Sequence, residues 1–177
     1  RVMDSISADL SAGLSITLTD ERYGSVGHKD SNWQQLIQAG FDPKEAHALP
    51  VLQAGLDLAA TTRRYRDLLA KAFAAADQAI GQFGIGEDGH IAGILPGSPA
   101  AADSQLAAGY QSDLFTRLTM TFPAFEQLHA AYAFAFGAGK ATALERLKNE
   151  QLPPAEQPAQ ILRQVPETHI YNDQIGV

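Results

Sequence analysis

Residues 83–97 read Phe83-Gly84-Ile85-Gly86-Glu87-Asp88-Gly89-His90-Ile91-Ala92-Gly93-Ile94-Leu95-Pro96-Gly97. Three glycines fall within residues 84–89, and a residue without a Cβ lets the backbone turn sharply and approach a ligand closely. Asp88 and His90 lie inside this turn. Histidine exchanges a proton most readily near neutral pH, and a neighbouring carboxylate can orient its ring. The stretch therefore predicts a general base, His90, oriented by Asp88.

The same stretch also satisfies the G-x-G-x-x-G pattern of dinucleotide sites. Glu87 and Asp88 would then repel a diphosphate at about 4 Å by roughly 1–4 kcal/mol. Pro96-Gly97 interrupts the helix that such a site needs, and no acidic residue ends a second strand about 20 residues further on. A structural alternative stays open, in which Asp88 forms an Asx-turn and His90 is a hydrogen-bonded structural residue.

Composition limits the classes of partner. The chain has 177 residues, 45% of them apolar, which suits one domain with a core. It contains no cysteine, so disulfides and thiolate metal sites are excluded and a reducing compartment is favoured. The net charge is −7, the basic residues are scattered, and no apolar run reaches about 18 residues. We expect a soluble cytoplasmic protein that binds neither nucleic acid nor membranes, while a small anionic ligand remains compatible.

Four segments have strand patterns. The first, 14–19, alternates apolar and hydroxyl residues and ends in Asp20-Glu21-Arg22; ligands of open α/β sheets bind at such strand ends, although a solvated strand end is the alternative. Residues 115–121 alternate again, and 168–172 form a last strand. The continuously apolar run 131–136 predicts a strand buried on both faces.

Helical patterns separate these strands. Ser31-Asn32 is an N-cap signal for a short helix with an apolar stripe of Trp33, Leu36 and Ile37. A long helix is predicted to begin near Asp57, with a stripe that reaches Ile80, and its arginines are predicted to be solvated. Pro123 begins another helix, and Lys140 opens one where backbone N–H groups favour an anion. The alternation predicts an α/β fold with a mostly parallel sheet covered on both faces.

Several separated motifs occur together in one order: Asp20-Glu21-Arg22, Asp30-Ser31-Asn32, residues 84–90, Arg117-Leu118-Thr119 and Gly139-Lys140. From about Leu14 to the C-terminus the sequence resembles the 6-phosphogluconolactonase family, which shares its fold with glucosamine-6-phosphate deaminase. The resemblance implies a three-layer α/β/α sandwich with a mostly parallel, Rossmann-like sheet. It also implies hydrolysis of 6-phospho-D-glucono-1,5-lactone to 6-phosphogluconate in the oxidative pentose phosphate pathway, without a metal or organic cofactor.

The resemblance also assigns roles to residues. His90 matches the catalytic base and Asp88 its neighbour, while Asp20 and Arg22 line the substrate end of the first strand. Arg117 and Lys140 match the phosphate-binding positions. The remaining substrate-binding candidates are Asn32, Gly84, Gly86 and Gly89.

The sequence departs from the family in one place. The family has a strand and a Gly-Gly-Ser/Thr-Pro loop upstream of Asp-Glu-Arg, and nothing in residues 1–15 matches that loop. We therefore expect residues 1–177 to be a single sugar-phosphate hydrolase domain that is truncated at its N-terminus. The alternative is a non-catalytic sugar-phosphate-binding paralogue. The sequence favours neither a monomer nor a homo-oligomer.

The deaminase is the other enzymatic alternative. Its aldose–ketose isomerisation needs a second carboxylate to partner the histidine, and the family resemblance places that acid directly before the proline. Leu95 occupies the position here, and Arg22 replaces the tyrosine of the deaminase's first motif. Both differences favour the lactonase.

Overall fold

Two three-stranded sheets and a two-stranded sheet form the framework of the computed structural model, which describes residues 6–176. The strands are β1 (Ser15–Ile16), β2 (Asp20–Arg22), β3 (His47–Ala48), β4 (Ile80–Gly84), β5 (Ala107–Gln111), β6 (Thr116–Met120), β7 (Ala130–Ala135) and β8 (Glu167–Asn172). The α-helices are α1 (Ala8–Ala12), α2 (Asn32–Gln38), α3 (Leu58–Ala75), α4 (Phe122–Phe125) and α5 (Ala141–Asn149). Short 3-10 helices cover Pro99–Ala102, Ala138–Lys140 and Pro158–Gln164.

Strand pairing confirms an α/β fold with mostly parallel sheets. The strand order β4-β7-β8 is parallel throughout, and β1 also pairs with β3 in parallel. The remaining sheet, β2-β6-β5, is antiparallel. No helix among residues 6–176 is long and apolar enough to cross a membrane.

Helix α3 packs against the antiparallel sheet. The Asp57 side chain caps it by accepting a hydrogen bond from the Ala60 N–H at 2.7 Å, and its buried face includes Tyr65 and Leu69. The predicted start is confirmed. The predicted stripe is wrong at its end, because α3 stops at Ala75 and Ile80 begins β4.

The predicted first strand divides into two short ones. Only Ser15–Ile16 pairs within 14–19, and Asp20–Arg22 is itself a strand, antiparallel to β6. The prediction that Asp20, Glu21 and Arg22 follow the end of a strand is therefore wrong. The pattern misled because a three-residue strand of charged side chains has no hydrophobic alternation, and pairing with β6 supplies its stability instead.

The apolar run at β7 is buried on one face only. Its alanines pack against the core, whereas Phe134 is 38% exposed. Phe134 stacks on Tyr171 of β8 at 5.2 Å between ring centroids, and Tyr132 stacks on His169 at 5.0 Å. The prediction of burial on both faces is wrong for this strand in the described part of the chain.

The predicted burial or exposure of several helix side chains also differs from the structure. In α2, Leu36 and Ile37 are exposed rather than buried, although Ser31 caps the helix as predicted. In α3, Arg64 donates to the Pro50 and Val51 carbonyls, and Arg66 bonds the Ala107 carbonyl and Asp103. These arginines tie the helix to neighbouring segments.

Candidate active site

The turn after β4 holds Asp88 and His90 in a fixed arrangement. Asp88 Oδ1 accepts hydrogen bonds from the His90 backbone N–H at 3.0 Å and from His90 Nδ1 at 2.6 Å. With Nδ1–H donating to the carboxylate, Nε2 of a neutral ring is left with a free lone pair. The Asx-turn of one sequence alternative and the Asp88–His90 contact of the other are therefore both present, and the role of His90 as a base stays a prediction.

The backbone of this turn explains two of its glycines. The Gly86 N–H donates to the His90 carbonyl at 2.9 Å, and the Gly89 N–H donates to the Gly86 carbonyl at 3.0 Å. A Cβ on Gly86 would lie 2.1 Å from His90 Nδ1, so only glycine lets the ring fold back over the turn. Gly89 has φ +82°, a conformation that side-chain-bearing residues rarely adopt.

Residues 155–159, near the C-terminal end of the chain, hydrogen-bond to the turn and pack against it. The Ala159 N–H donates to the Gly89 carbonyl at 2.9 Å, and the Gly97 N–H donates to the Ala155 carbonyl at 2.8 Å. Gln157 is fully buried, and a Cβ on Gly89 would lie 2.6 Å from its Cγ. These contacts leave the turn little freedom to move.

The charge state of Asp88 depends on its histidine partner. Burial raises the pKa of this carboxyl, but the hydrogen bonds and the charge of His90 outweigh that effect and lower it below 3.8 overall. Asp88 is therefore ionised at neutral pH. The ionised carboxylate accepts the hydrogen bond from Nδ1 and so holds the ring in one orientation.

Two arginines lie side by side on the adjacent antiparallel sheet. Arg22 of β2 is the cross-strand partner of Arg117 of β6, and both guanidinium groups lie over the Phe115 ring, at 4.9 Å and 5.9 Å from its centroid. Like charges placed directly opposite each other destabilise a sheet. Arg22 Nε is also buried without a hydrogen-bond partner among the described residues. An anion near this pair would reduce the repulsion between the two guanidinium groups and could accept a hydrogen bond from Arg22 Nε.

Asp20 lies two residues before Arg22 on β2, opposite Thr119 of β6. Burial raises the pKa of its carboxyl, and the charges of Arg22 and Arg117 oppose that rise. Asn32 donates through Nδ2 to the Asp20 carbonyl at 3.0 Å. A Cβ on Gly93 would lie 3.1 Å from the Asp20 Cβ, so this strand packs against the segment that follows His90.

A cavity of about 450 Å³ is lined in part by the turn that carries Asp88 and His90. Its lining residues are Gly86, Glu87, Asp88, His90, Leu95, Ser112, Asp113, Leu114, Arg117 and Lys140. Five sequence-predicted site residues meet here: His90, Asp88, Gly86, Arg117 and Lys140. The other five, Asp20, Arg22, Asn32, Gly84 and Gly89, lie outside that lining, and their direct contact with a ligand stays a prediction.

Sequence reasoning missed the hairpin that forms one rim of the cavity. Ser112, Asp113 and Leu114 connect β5 to β6, and Ser112 Oγ accepts a hydrogen bond from Arg117 Nε at 3.1 Å. Residues 107–111 are rich in alanine and glycine, which gave no strand signal. The polar Ser-Asp pair directly before the 115–121 pattern was the available indication of a turn.

Comparisons with known proteins identify the family of this chain. The family model for glucosamine-6-phosphate isomerases/6-phosphogluconolactonase matches residues 6–170. A 6-phosphogluconolactonase from Synechocystis sp. is 30% identical over an alignment of 154 residues that covers 81% of this chain. The chain spans 64% of that relative's length.

Solved structures show the same fold. A 6-phosphogluconolactonase from Shewanella baltica superposes with a TM-score of 0.81 at 17% identity, covering 96% of this chain and 75% of that one. A monomeric glucosamine-6-phosphate deaminase gives 0.74 at 20% identity, with coverage of 93% and 75%. With the match to 165 consecutive residues, 6–170, the chain belongs to the glucosamine-6-phosphate isomerase/6-phosphogluconolactonase family.

Proposed function

We propose that this protein hydrolyses 6-phospho-D-glucono-1,5-lactone to 6-phosphogluconate in the oxidative pentose phosphate pathway. The observation that carries the proposal is the 2.6 Å contact between His90 Nδ1 and Asp88 Oδ1 at the wall of a cavity that also holds Arg117 and Lys140. The 30% identity to a 6-phosphogluconolactonase supports the same reaction. We further propose a cytoplasmic location, which suits a chain without cysteine.

The reaction needs a base, an acid and a cationic environment. His90 Nε2 takes a proton from water as the oxygen attacks the lactone carbonyl carbon, and Asp88 stabilises the imidazolium that forms. The tetrahedral intermediate carries negative charge on the former carbonyl oxygen, and we assign its stabilisation to Arg22, the cross-strand partner of the cavity-lining Arg117. Collapse breaks the bond to the ring oxygen, and His90 returns the proton to that oxygen. The product is one open-chain molecule that carries both the new carboxylic acid and the released hydroxyl group.

The phosphate is assigned to Arg117 and Lys140. They come from β6 and from the 3-10 turn before α5, and both line the cavity. Arg117 is held by Ser112, which orders the guanidinium before a ligand arrives. A doubly charged phosphate gives these two cations a common partner.

The cavity wall supports the lactonase over the deaminase. Leu95 lines the cavity, and its isobutyl group can neither accept nor carry a proton. Ring opening and proton transfer between neighbouring carbons require a further acid at such a position. Ammonia release from glucosamine 6-phosphate at rates near 1–10³ s⁻¹ would overturn the assignment.

The direct test measures hydrolysis of freshly generated 6-phosphogluconolactone above the spontaneous rate. We expect His90→Asn to lower turnover by roughly 10²–10⁴ with binding largely retained. His47→Asn is the matched control, because His47 is exposed on β3 and its loss should leave the rate unchanged. A wild-type rate equal to the spontaneous one, together with calorimetric binding of 6-phosphogluconate, would instead identify a non-catalytic binding module.

A further inference from the structure

Glu21 is a fully buried carboxylate in the middle of β2. Its Oε1 accepts hydrogen bonds from the backbone N–H groups of Arg22 at 2.7 Å and Asn32 at 2.6 Å. Its Oε2 accepts from the Ser31 hydroxyl at 2.9 Å and from the Trp33 N–H at 3.1 Å. All four partners are donors, so both oxygens are fully used.

These bonds join α2 to β2. A buried carboxylate is tolerated only where donors replace its hydration, and the first turn of a helix offers N–H groups that have no partner within the helix. Asn32 strengthens the junction, because its side-chain amide donates to the Asp20 carbonyl at 3.0 Å. The start of α2 is therefore fixed at two successive residues of β2.

The residues on either side of Glu21 are Asp20 and Arg22, two of the predicted site residues. Side chains alternate across a strand, so Asp20 and Arg22 point away from the face on which Glu21 meets α2. Arg22 stands beside Arg117, which lines the cavity. A rotation or shift of β2 would move the Arg22 guanidinium relative to Arg117 and to the His90 turn.

We propose that Glu21 is a positioning residue, whose carboxylate anchors the start of α2 on β2 and so fixes the side chains of Asp20 and Arg22 at the active site. The effect on catalysis rests on the proposed function, whereas the anchoring does not. Asp57 also caps a helix with its carboxylate, but that helix start does not line the cavity. Loss of a helix cap can therefore be tested separately from loss of the Glu21 anchor.

The kinetic test compares three variants. Glu21→Gln keeps the shape but turns an NH₂ group toward backbone donors, and we expect kcat/KM to fall by about 10–100-fold, since displacement of about 1 Å can cost 10²-fold. Ser31→Ala removes one of the four bonds and also the helix cap to the Gln34 N–H. It should fold even if Glu21→Gln does not, with an expected loss of about 3–10-fold. Asp57→Ala is the matched control and should leave kcat/KM within about twofold, after correction for the folded fraction.

A second measurement does not depend on activity. Phenylglyoxal modifies guanidinium groups, and mass spectrometry of the digested protein gives the modification rate of Arg22. We expect that rate to rise severalfold in Glu21→Gln and Ser31→Ala and to remain at the wild-type value in Asp57→Ala. Arg146 of α5, whose side chain is 42% exposed, provides the internal reference.

The outcomes separate the two proposals. If the wild type lacks lactonase activity, the proposed function fails, and the Arg22 modification rate still decides the role of Glu21. Wild-type Arg22 reactivity in folded Glu21→Gln or Ser31→Ala would overturn the positioning role. So would catalytic losses that match those of Asp57→Ala.

Discussion

Replacing Gly86 by alanine tests whether the position of His90 in the Asp88–His90 turn matters for activity. The new Cβ would lie 2.1 Å from His90 Nδ1, 2.3 Å from Cε1 and 2.7 Å from Asp88 Oδ1. Ordinary contact begins near 3.4 Å, so the ring must withdraw by about 1.3 Å, the difference from 2.1 Å. The His90 side chain is 33% exposed, which lets it swing toward solvent rather than disrupt the fold. Because misplacement of about 1 Å costs on the order of 10²-fold, we expect kcat/KM to fall by about that factor.

The assay is steady-state lactone hydrolysis, with thermal unfolding measured in parallel. The free energy of unfolding should fall by no more than about 1 kcal/mol, because the displaced ring is partly solvated. Gly13→Ala is the matched control: its φ is −83° and a Cβ there meets only the Leu10 carbonyl at 3.7 Å. A folded Gly86→Ala protein with wild-type kcat/KM would show that catalysis does not use His90 in the position described.

Three further variants test the charges and the core. Arg117→Ala should raise KM about 10- to 100-fold for the phosphorylated lactone and leave KM for the unphosphorylated lactone unchanged; equal effects would assign the residue another role. The pKa of Asp88 is lowered in the folded protein, so its stabilising contribution is present above pH 3.8 and is lost as the pH falls toward the folded pKa. Asp88→Asn should therefore reduce the free energy of unfolding at pH 7 but not at the acid end, as followed by urea titration at each pH. Tyr65→Phe removes a buried hydroxyl that donates to the Leu18 carbonyl at 2.5 Å, and urea unfolding should show a loss of about 1–2 kcal/mol; an unchanged midpoint would contradict that bond.

The sequence was most informative where chemistry is local. Asp88 and His90 are two residues apart, so the glycine pattern alone predicted their contact. The caps at Ser31 and Asp57 were likewise readable, because each involves a backbone N–H three residues later. Local geometry of this kind needs no knowledge of tertiary packing.

The sequence was least informative where pairing partners are distant. Strand β5 consists of Ala107–Gln111 and gains its stability from β6 and α3 rather than from its own side chains. Glu21 looked like one charge among three, and its burial depends on N–H groups of α2 ten and more residues away. Neither the pairing of β5 nor the burial of Glu21 produces a hydrophobic pattern in the sequence.

The contacts between residues 155–159 and the Asp88–His90 turn also bear on the order in which the protein folds during synthesis. Asp88 and His90 are made about 70 residues before Ala159, whose N–H donates to the Gly89 carbonyl. The buried Gln157 side chain, which packs on the same glycine, is made at nearly the same time. On the ribosome the turn therefore stays incompletely supported until the segment around residue 160 has left the exit tunnel. A nascent chain stalled before that point should carry the whole His90–Asp88 motif and yet hydrolyse no lactone.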